Sequence, residues 1–395
     1  MSVNKMRVIV VGGFLGSGKT TLLAQAARHF ASQGKRICII TNDQAPQLVD
    51  TRFLESLNVT VGEVAGGCFC CRFQDLESAA NRLFRDSRPD ALLTEPVGSC
   101  TDISATVLQP IKHFWREWAE LSPFSVLADP RRLRQTLDAE SNFPDSVRYI
   151  IKKQFEEADY IVINKTDLIS PDELAELRSK VAATWPGARI LEISALLDRG
   201  VAEWLAAVIG VQGGGNKIPD VDYDTYARGE AELGWLNATV SLFAHDQRDW
   251  RAFALDLIRR IQSELAGRSA EIGHLKLLIA SSTGQVVANA ASLSDTPTSQ
   301  GSLETGPGTV DLVINARAHL GPDQLNAIVE RSILIAAGEG VEVTNPSLRS
   351  FSPAYPKPTH RIEKIVHPLG GNGHQMRCPF IMRSGLTVGK GMDFR

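Results

Sequence analysis

Short runs of β-branched residues alternate with longer amphipathic segments from residue 6 to residue 210. The short runs predict strands and the amphipathic segments predict helices, in an order typical of βα units around a mostly parallel sheet. We therefore expect an α/β domain over residues 1–210, with strands at 7–11, 36–41, 59–64, 90–94, 124–128, 159–163 and 188–193.

The pattern changes after residue 210. Residues 211–233 contain three consecutive glycines and show neither a period nor an apolar run, so we interpret them as a linker. Residues 234–345 predict the order strand, helix, strand, strand, helix, strand, which is typical of an α+β sandwich smaller than the first domain. Within it, residues 292–308 are rich in Ser, Thr, Gly and Pro and predict a mobile loop, and residues 346–395 predict an irregular tail.

The charges of the chain are nearly balanced, since 42 Lys and Arg face 45 Asp and Glu for a formal net charge of -3. So weak a field argues against nucleic acid or a membrane surface as the partner. The apolar runs are shorter than the roughly 18 residues that a membrane-spanning helix needs, and the chain begins without the pattern of a secretory signal. We expect a cytoplasmic protein. Three of the six cysteines fall inside four residues, which does not fit a disulfide framework.

One glycine-rich segment, GGFLGSGKTT, follows the first predicted strand and precedes an apolar helical pattern. It has the form G-x-x-x-x-G-K-[ST], in which backbone N–H groups turn toward phosphate oxygens and the next helix presents its positive end. Lys19 would neutralise phosphate charge and Thr20 would ligate Mg²⁺. The alternative is a glycine-rich turn with a chance lysine. We predict a P-loop that binds a nucleotide through Gly13, Gly16, Ser17, Gly18, Lys19, Thr20 and Thr21.

The segment DYIVINKTDL places Asn164, Lys165 and Asp167 at the end of a predicted strand. An aspartate at this place favours guanine, because its carboxylate accepts from both N1–H and the exocyclic amine, whereas N1 of adenine is itself an acceptor. Ser194 and Ala195 close the next strand and would support the same base. A chance surface loop is the alternative to this prediction of GTP binding.

Two further groups are candidates for hydrolysis. The strand ALLT ends in Glu95, which can hold Mg²⁺ through water, and Gly98 follows, whose N–H can contact the γ-phosphate. We predict Lys19, Glu95 and Gly98 as catalytic residues, against the alternative of a plain strand-capping turn. The segment TNDQAPQLVD lies at the phosphate-facing edge of the sheet and predicts a nucleotide-sensing switch. Its candidate residues are Asn42, Asp43 and Asp50. The alternative is that any one of them merely caps a helix.

Three thiols crowd one glycine-led turn at Cys68, Cys70 and Cys71. Thiolates are soft ligands that hold Zn²⁺, Co²⁺ or Cu⁺, and the glycines allow the backbone to bring the sulfurs onto one ion. No second C-x-x-C and no nearby histidine supplies a fourth ligand, so we interpret the site as incomplete or transient. Buried small residues and a redox pair are the alternatives.

Together these segments resemble the CobW-like family of P-loop GTPases, relatives of the hydrogenase and urease maturation GTPases. The similar segments are the phosphate loop GGFLGSGKTT, the metal motif VAGGCFCC, the E-x-x-G motif TEPVG and the base-recognition segment QFEEADYIVINKTDL. The resemblance covers most of the first domain. It implies a P-loop NTPase domain that hydrolyses GTP with Mg²⁺, binds zinc or cobalt at the three cysteines, and releases the metal to a client metalloprotein. It leaves the oligomeric state open, and a homodimer is one of the possible states.

The chain departs from the family pattern at the switch, where Gln44 and Ala45 replace Phe and Gly, and at Pro96, where the family commonly has Thr or Ser. The linker also lacks the His-rich run found in many members. The tail carries four scattered residues that suit no compact site and that we interpret as exposed single residues rather than as a second metal site: His360, His367, His374 and Cys378.

Two other functions compete with the metallochaperone. A GTP-dependent assembly factor would dock on an enzyme to load an organic cofactor, with the cysteines as a structural knot. A metal-responsive regulator that binds nucleic acid is disfavoured by the net acidic charge and the lack of a basic stripe.

Overall fold

The structure is a computed structural model that describes residues 5–44, 49–55, 57 and 59–367. Within these residues the chain forms two sheets, one parallel and one antiparallel, each with its own helices. The predicted fold class, an α/β P-loop domain followed by a smaller α+β domain, is confirmed. Among the described residues no helix is both long enough and apolar enough to cross a membrane.

The first sheet is parallel at every pairing between described residues. Its strand order is β3-β2-β4-β1-β6-β7-β8, with β5 paired to β1. All seven predicted strands are present to within two residues, and β5 is an addition. The strands are β1 Met6–Gly12, β2 Ile37–Asp43, β3 Thr60–Ala65, β4 Ala91–Thr94, β5 Ala119–Leu121, β6 Ser125–Ala128, β7 Tyr160–Ile163 and β8 Arg189–Glu192.

Helices cover both faces of this sheet. In β1, Val8 and Val10 pack into the apolar cluster on one face, and Ile9 and Val11 into the cluster on the other. Burial on both faces explains why the strands appear as continuous apolar runs. The helices are α1 Lys19–Ser32, α2 Val49–Glu55, α3 Phe73–Ser87, α4 Gln109–Phe114, α5 Pro130–Leu137, α6 Asp145–Glu156, α7 Pro171–Thr184, α8 Val201–Gly210 and α9 Tyr223–Ala231.

The second sheet is antiparallel, with the strand order β12-β11-β10-β13-β9-β14. Alternate residues of β9 and β13 pack under two helices in one apolar cluster. The elements are β9 Gly234–Ala244, α10 Trp250–Ala266, β10 Ile272–Ser281, β11 Gly284–Ala290, β12 Thr298–Ser302, β13 Gly308–Ala318, α11 Pro322–Ala337 and β14 Val341–Phe351.

The segment 211–233 differs from the expected linker, because α9 lies in its second half and packs against α6. Tyr226 is 1% exposed. Gly229 allows the two helices to approach, since a Cβ there would lie 2.4 Å from the carbonyl oxygen of Ser146. The hydrophobic pattern did not predict this helix because its buried face carries tyrosines and a glutamate instead of aliphatic residues.

Two expectations for the second domain are also corrected. Residues 292–308 include β12, which pairs with β11 at one edge of the sheet although its side chains are polar. The strand β14 continues past Pro346, and its register shifts between Thr344 and Ser347. Proline is tolerated at a bulge on an edge strand. Backbone hydrogen bonds hold both segments, and a pattern of side chains does not reveal them.

The face of the second sheet that its helices leave uncovered packs against the first domain. The fully buried Arg317 of β13 donates to the carboxylate of Asp43 at 3.0 and 3.1 Å. Lys276 of β10 donates to the carboxylate of Asp50 at 2.7 and 2.8 Å. Losing one partner of a buried ion pair such as Arg317–Asp43 costs about 3–5 kcal/mol, whereas the partly exposed Lys276–Asp50 pair contributes less. These pairs therefore fix the second domain over the end of β2.

Candidate functional site

The predicted phosphate loop connects β1 to α1. Gly13 has φ of +126°, and a Cβ there would lie 2.4 Å from the carbonyl oxygen of Leu127. Gly18 has φ of +95°, and a Cβ there would lie 2.3 Å from Nδ2 of Asn164. Both the left-handed backbone and the close neighbours require glycine. The backbone can thus curl around an anion at the N-terminus of α1, which favours negative charge.

Lys19, Thr20 and Glu95 meet inside this loop. Nζ of Lys19 donates to the carbonyl oxygen of Gly13 at 2.9 Å, and Oγ1 of Thr20 donates to the Glu95 carboxylate at 3.1 and 3.3 Å. Burial and the neighbouring Asp50 raise the pKa of Glu95 to about 7, while Lys19 acts in the opposite direction. The hydroxyl and the carboxylate offer the hard oxygen ligands that Mg²⁺ prefers, so the residues fit that ion.

A pocket at the carboxyl ends of β1, β2 and β4 is lined by both domains. Second-domain residues in its wall include Trp235, His274 and Lys276. No sequence motif indicated these three residues. Their strands show the alternation of apolar and polar residues that is common to any sheet with one covered face, so the pattern does not mark a site. The predicted site residues in the same wall are Gly16, Gly18, Lys19, Thr20, Thr21, Asn42, Asp43, Asp50, Glu95, Gly98 and Lys165.

The predicted base-recognition residues lie outside the wall of this pocket, except Lys165, and are joined to the phosphate loop by Asn164. Nδ2 of Asn164 donates to the carbonyl oxygen of Ser17 at 2.8 Å, and its Oδ1 accepts from the N–H of Ala195 at 2.9 Å. The exposed Asp167 accepts from the hydroxyl of Ser194. Lys165 adopts φ of +57° and pairs with Asp129 at 2.8 Å. Asn164 thus holds the loop and the segment 194–195 together, while Asp167 is exposed to solvent.

Asn42, predicted as a switch residue, contacts the turn that carries the cysteines. Its Nδ2 donates to the carbonyl oxygens of Val64 at 2.9 Å and Gly67 at 2.8 Å. Its Oδ1 accepts from the N–H of Phe69 at 2.8 Å. Asn42 therefore touches the pocket and the cysteine turn (residues 66–71) at once. Ala45, one of the two departures from the family's switch pattern, lies outside the described residues.

The cysteine turn precedes α3 directly, and its three thiol sulfurs all lie within 4.8 Å of one another. Cys68 and Cys70 are buried, and Cys71 is partly exposed. Backbone hydrogen bonds from Cys71 and Arg72 to the carbonyl oxygen of Cys68 close the turn at 3.0 and 2.9 Å. Hydrogen bonding to Cys68 raises the pKa of Cys71 to about 11. The sulfurs converge as one small soft ion requires.

Three residues that sequence reasoning did not single out surround these thiols. Cys100 is 2% exposed, and hydrogen bonds from the thiols of Cys68 and Cys70 lower its pKa to about 7. The buried Tyr226 and Glu230 come from α9 and act electrostatically on the same thiols. The sequence signal available for Cys100 was its position five residues after Glu95. Tyr226 and Glu230 were missed because the sequence did not predict α9.

The tail segment 352–367 crosses the cysteine turn without forming a helix or strand. The N–H of Lys357 donates to Sγ of Cys71 at 3.3 Å, and the N–H of Thr359 donates to the carbonyl oxygen of Cys70 at 2.8 Å. His360, which we interpreted from sequence as an exposed single residue, is instead half-buried and packs against Phe73 and Phe114 at ring centroid distances of 5.4 and 5.0 Å. His367, another of the four tail residues, is exposed. The remaining two, His374 and Cys378, lie outside the described residues.

The profile of the CobW/HypB/UreG nucleotide-binding domain matches residues 7–192. The zinc chaperone YeiR of Escherichia coli (strain K12) is 30% identical over 170 residues, which cover 42% of this chain and 48% of that protein. The zinc chaperone CobW of Pseudomonas aeruginosa is 27% identical over 228 residues, which cover 48% of this chain and 57% of that protein. The chain thus spans about half the length of these curated relatives.

Among solved structures, HypB from Helicobacter pylori in complex with nickel aligns at 17% identity and a TM-score of 0.40, over 53% of this chain and 91% of that chain. The matched residues 7–192 include the phosphate loop, the cysteine turn, Glu95 with Gly98, and the segment of Asn164 to Asp167. Residues 7–192, slightly less than half of the chain, are thus similar to the nucleotide-binding domain of the CobW/HypB/UreG family.

Proposed function

We propose that this protein is a GTP-hydrolysing metallochaperone. It binds a transition metal at the cysteine turn while GTP occupies the pocket, and it releases the metal to a client metalloprotein after hydrolysis. The observation that carries the proposal is the double contact of Asn42. Its side chain lies in the wall of the nucleotide pocket, and two of its hydrogen bonds hold Gly67 and Phe69 of the cysteine turn.

Four residues support the hydrolytic half of the proposal. Lys19 is half-buried and placed to neutralise phosphate charge, and the backbone of Gly98 lies beside it, since a Cβ there would be 2.9 Å from Nζ of Lys19. An N–H at that place can contact the terminal phosphate. Thr20 and Glu95 would hold Mg²⁺, which when bound supplies positive charge to the phosphate oxygens.

The guanine preference gives a first test. In Asp167→Asn, the amide can accept only one of the two hydrogen bonds from guanine and presents a donor instead. We expect GTP affinity to fall by about 10- to 100-fold, because each hydrogen bond to a charged group contributes about 1.5–3 kcal/mol. Xanthosine triphosphate, whose second oxygen accepts from that amide, should bind better than GTP.

The measurement is competition of the two triphosphates against a fluorescent nucleotide. Asp172→Asn, an exposed aspartate in the first turn of α7, is the matched control and should keep the preference for GTP. An unchanged preference in Asp167→Asn would remove Asp167 from base recognition.

The metal half of the proposal rests on the donor set. Three thiols within 4.8 Å of one another favour a soft or borderline ion over Mg²⁺ or Ca²⁺. Zinc is the preferred candidate because both curated relatives described above are named zinc chaperones, and cobalt is the second. The client is then an apo-metalloprotein that accepts the ion.

Nucleotide-dependent metal affinity tests the proposal as a whole. Zinc should bind at least tenfold more tightly with Mg²⁺ and a non-hydrolysable GTP analogue than with GDP, a coupling of about 1.4 kcal/mol. The same factor must tighten nucleotide binding when zinc is present. A competitive zinc titration with a chromophoric chelator measures it, with the cobalt titration run alongside.

A GTP-dependent assembly factor with structural cysteines is the second candidate. The hydrogen bonds from Lys357 and Thr359 to the cysteine turn favour it, because they are the contacts of a folded knot. Equal zinc affinity in the two nucleotide states would support this candidate and contradict the metallochaperone.

A further inference from the structure

Cys100 lies at the end of a turn that begins at the nucleotide pocket. The turn starts at Glu95 after β4, passes Gly98 beside Lys19, and closes with a hydrogen bond from the N–H of Cys100 to the carbonyl oxygen of Val97 at 3.0 Å. We call residues 95–100 the Glu95 turn. Its first four residues line the pocket, and its last residue lies beside the thiols.

The Glu95 turn is held as one piece by Gln154 of α6. Nε2 of Gln154 donates to the carbonyl oxygen of Gly98 at 3.0 Å and to that of Cys100 at 2.8 Å. Gln154 is 3% exposed, so both bonds are shielded from water. A displacement of Gly98 will therefore be transmitted to Cys100.

The thiol of Cys100 is buried beside the cysteine turn, just outside the group of three sulfurs that lie within 4.8 Å of one another. Its thiol lies within hydrogen-bonding reach of the thiols of Cys68 and Cys70. The hydroxyl of Tyr226, which is 1% exposed, lies beside it and has no partner of standard hydrogen-bond geometry among the described residues. A buried hydroxyl normally has a partner. A thiolate ligand at Cys100 would provide one.

We propose that Cys100 is a fourth thiolate ligand of the metal carried by Cys68, Cys70 and Cys71, and that it connects the metal site to the nucleotide. Four sulfurs complete the tetrahedral shell that three leave open. Because Cys100 shares a rigid turn with Gly98, a shift of Gly98 on loss of the terminal phosphate moves one ligand of four. The inference rests on the proposed function and adds the ligand that couples its two halves.

The experiment counts sulfur ligands on zinc in the full chain by X-ray absorption, in the wild type, in Cys100→Ser and in Cys38→Ala. Cys38 is a buried cysteine of β2 outside the cluster and serves as the matched control. We expect about four sulfurs at about 2.3 Å in the wild type and the control, and about three in Cys100→Ser. The tenfold higher zinc affinity of the GTP-bound state should disappear in Cys100→Ser, so that the two nucleotide states bind zinc about equally.

The outcomes separate this inference from the proposed function. Three sulfurs in the wild type, or four in Cys100→Ser, would overturn the assignment of Cys100 and leave the metallochaperone in place. No zinc bound by the wild type in either nucleotide state would overturn the proposed function itself. The sulfur count of the wild type does not depend on how well the variant folds, and Cys100→Ala gives a second variant.

Discussion

Lys19→Ala should weaken GTP binding by about 100-fold or more, equivalent to about 2.7 kcal/mol. The cause is the loss of the half-buried cation that would face the phosphates from the phosphate loop. Burial lowers the pKa of Lys19 in the free protein, while Glu95 and Asp50 raise it. A bound polyphosphate adds negative charge and favours the protonated amine further. Displacement of a fluorescent GTP analogue measures the loss, and single-turnover hydrolysis should fall by at least the same factor.

The matched control is Lys35→Ala, an exposed lysine just after α1 that packs over the ring of Phe30. It should leave GTP affinity unchanged. The melting temperature of nucleotide-free Lys19→Ala should stay close to that of the wild type, because the hydrogen bond to Gly13 is the sole one from its amine among those described. A loss of affinity below about threefold would show that the loop does not bind phosphate through this residue.

Cys70→Ser should lower zinc affinity by more than about 100-fold. Removing a residue that only supports a metal ligand already lowers metal affinity by about 10- to 100-fold, and Cys70 is itself a proposed ligand. A serine hydroxyl is a hard ligand that stays protonated at neutral pH, whereas the thiolate is the form that binds zinc. Cys70 lies between its neighbours, with sulfur distances of 2.8 Å to Cys68 and 3.8 Å to Cys71. Its replacement opens the centre of the cluster.

Zinc competition with a chromophoric chelator gives this affinity, and thermal melting of the metal-free protein tests the alternative function. Serine is close in size to cysteine, so a metal carrier loses zinc and keeps its melting temperature. A structural knot instead loses stability, since Cys70 is 1% exposed. Cys38→Ala is again the control and should keep full zinc affinity. A Cys70→Ser protein that binds zinc like the wild type contradicts the metal site.

Most of the first domain was predictable from sequence. Its strands are buried on both faces, so each appears as a short apolar run, and motifs at their ends place Lys19, Glu95 and Asp167 on one edge of a parallel sheet. The helix α9 and the strand β12 were missed. One has a polar buried face and the other is held by backbone hydrogen bonds, and neither produces a hydrophobic period.

The sequence by itself determined the chemistry of each motif, because phosphate cradles, thiol ligands and base-reading carboxylates depend on residue types at close spacing. The tertiary structure alone decided what joins them. It placed Cys100 and Tyr226 beside the cysteine turn, and the second sheet over Asp43 and Asp50. These contacts connect residues up to 274 positions apart, so packing of whole elements sets them, and no local pattern encodes them.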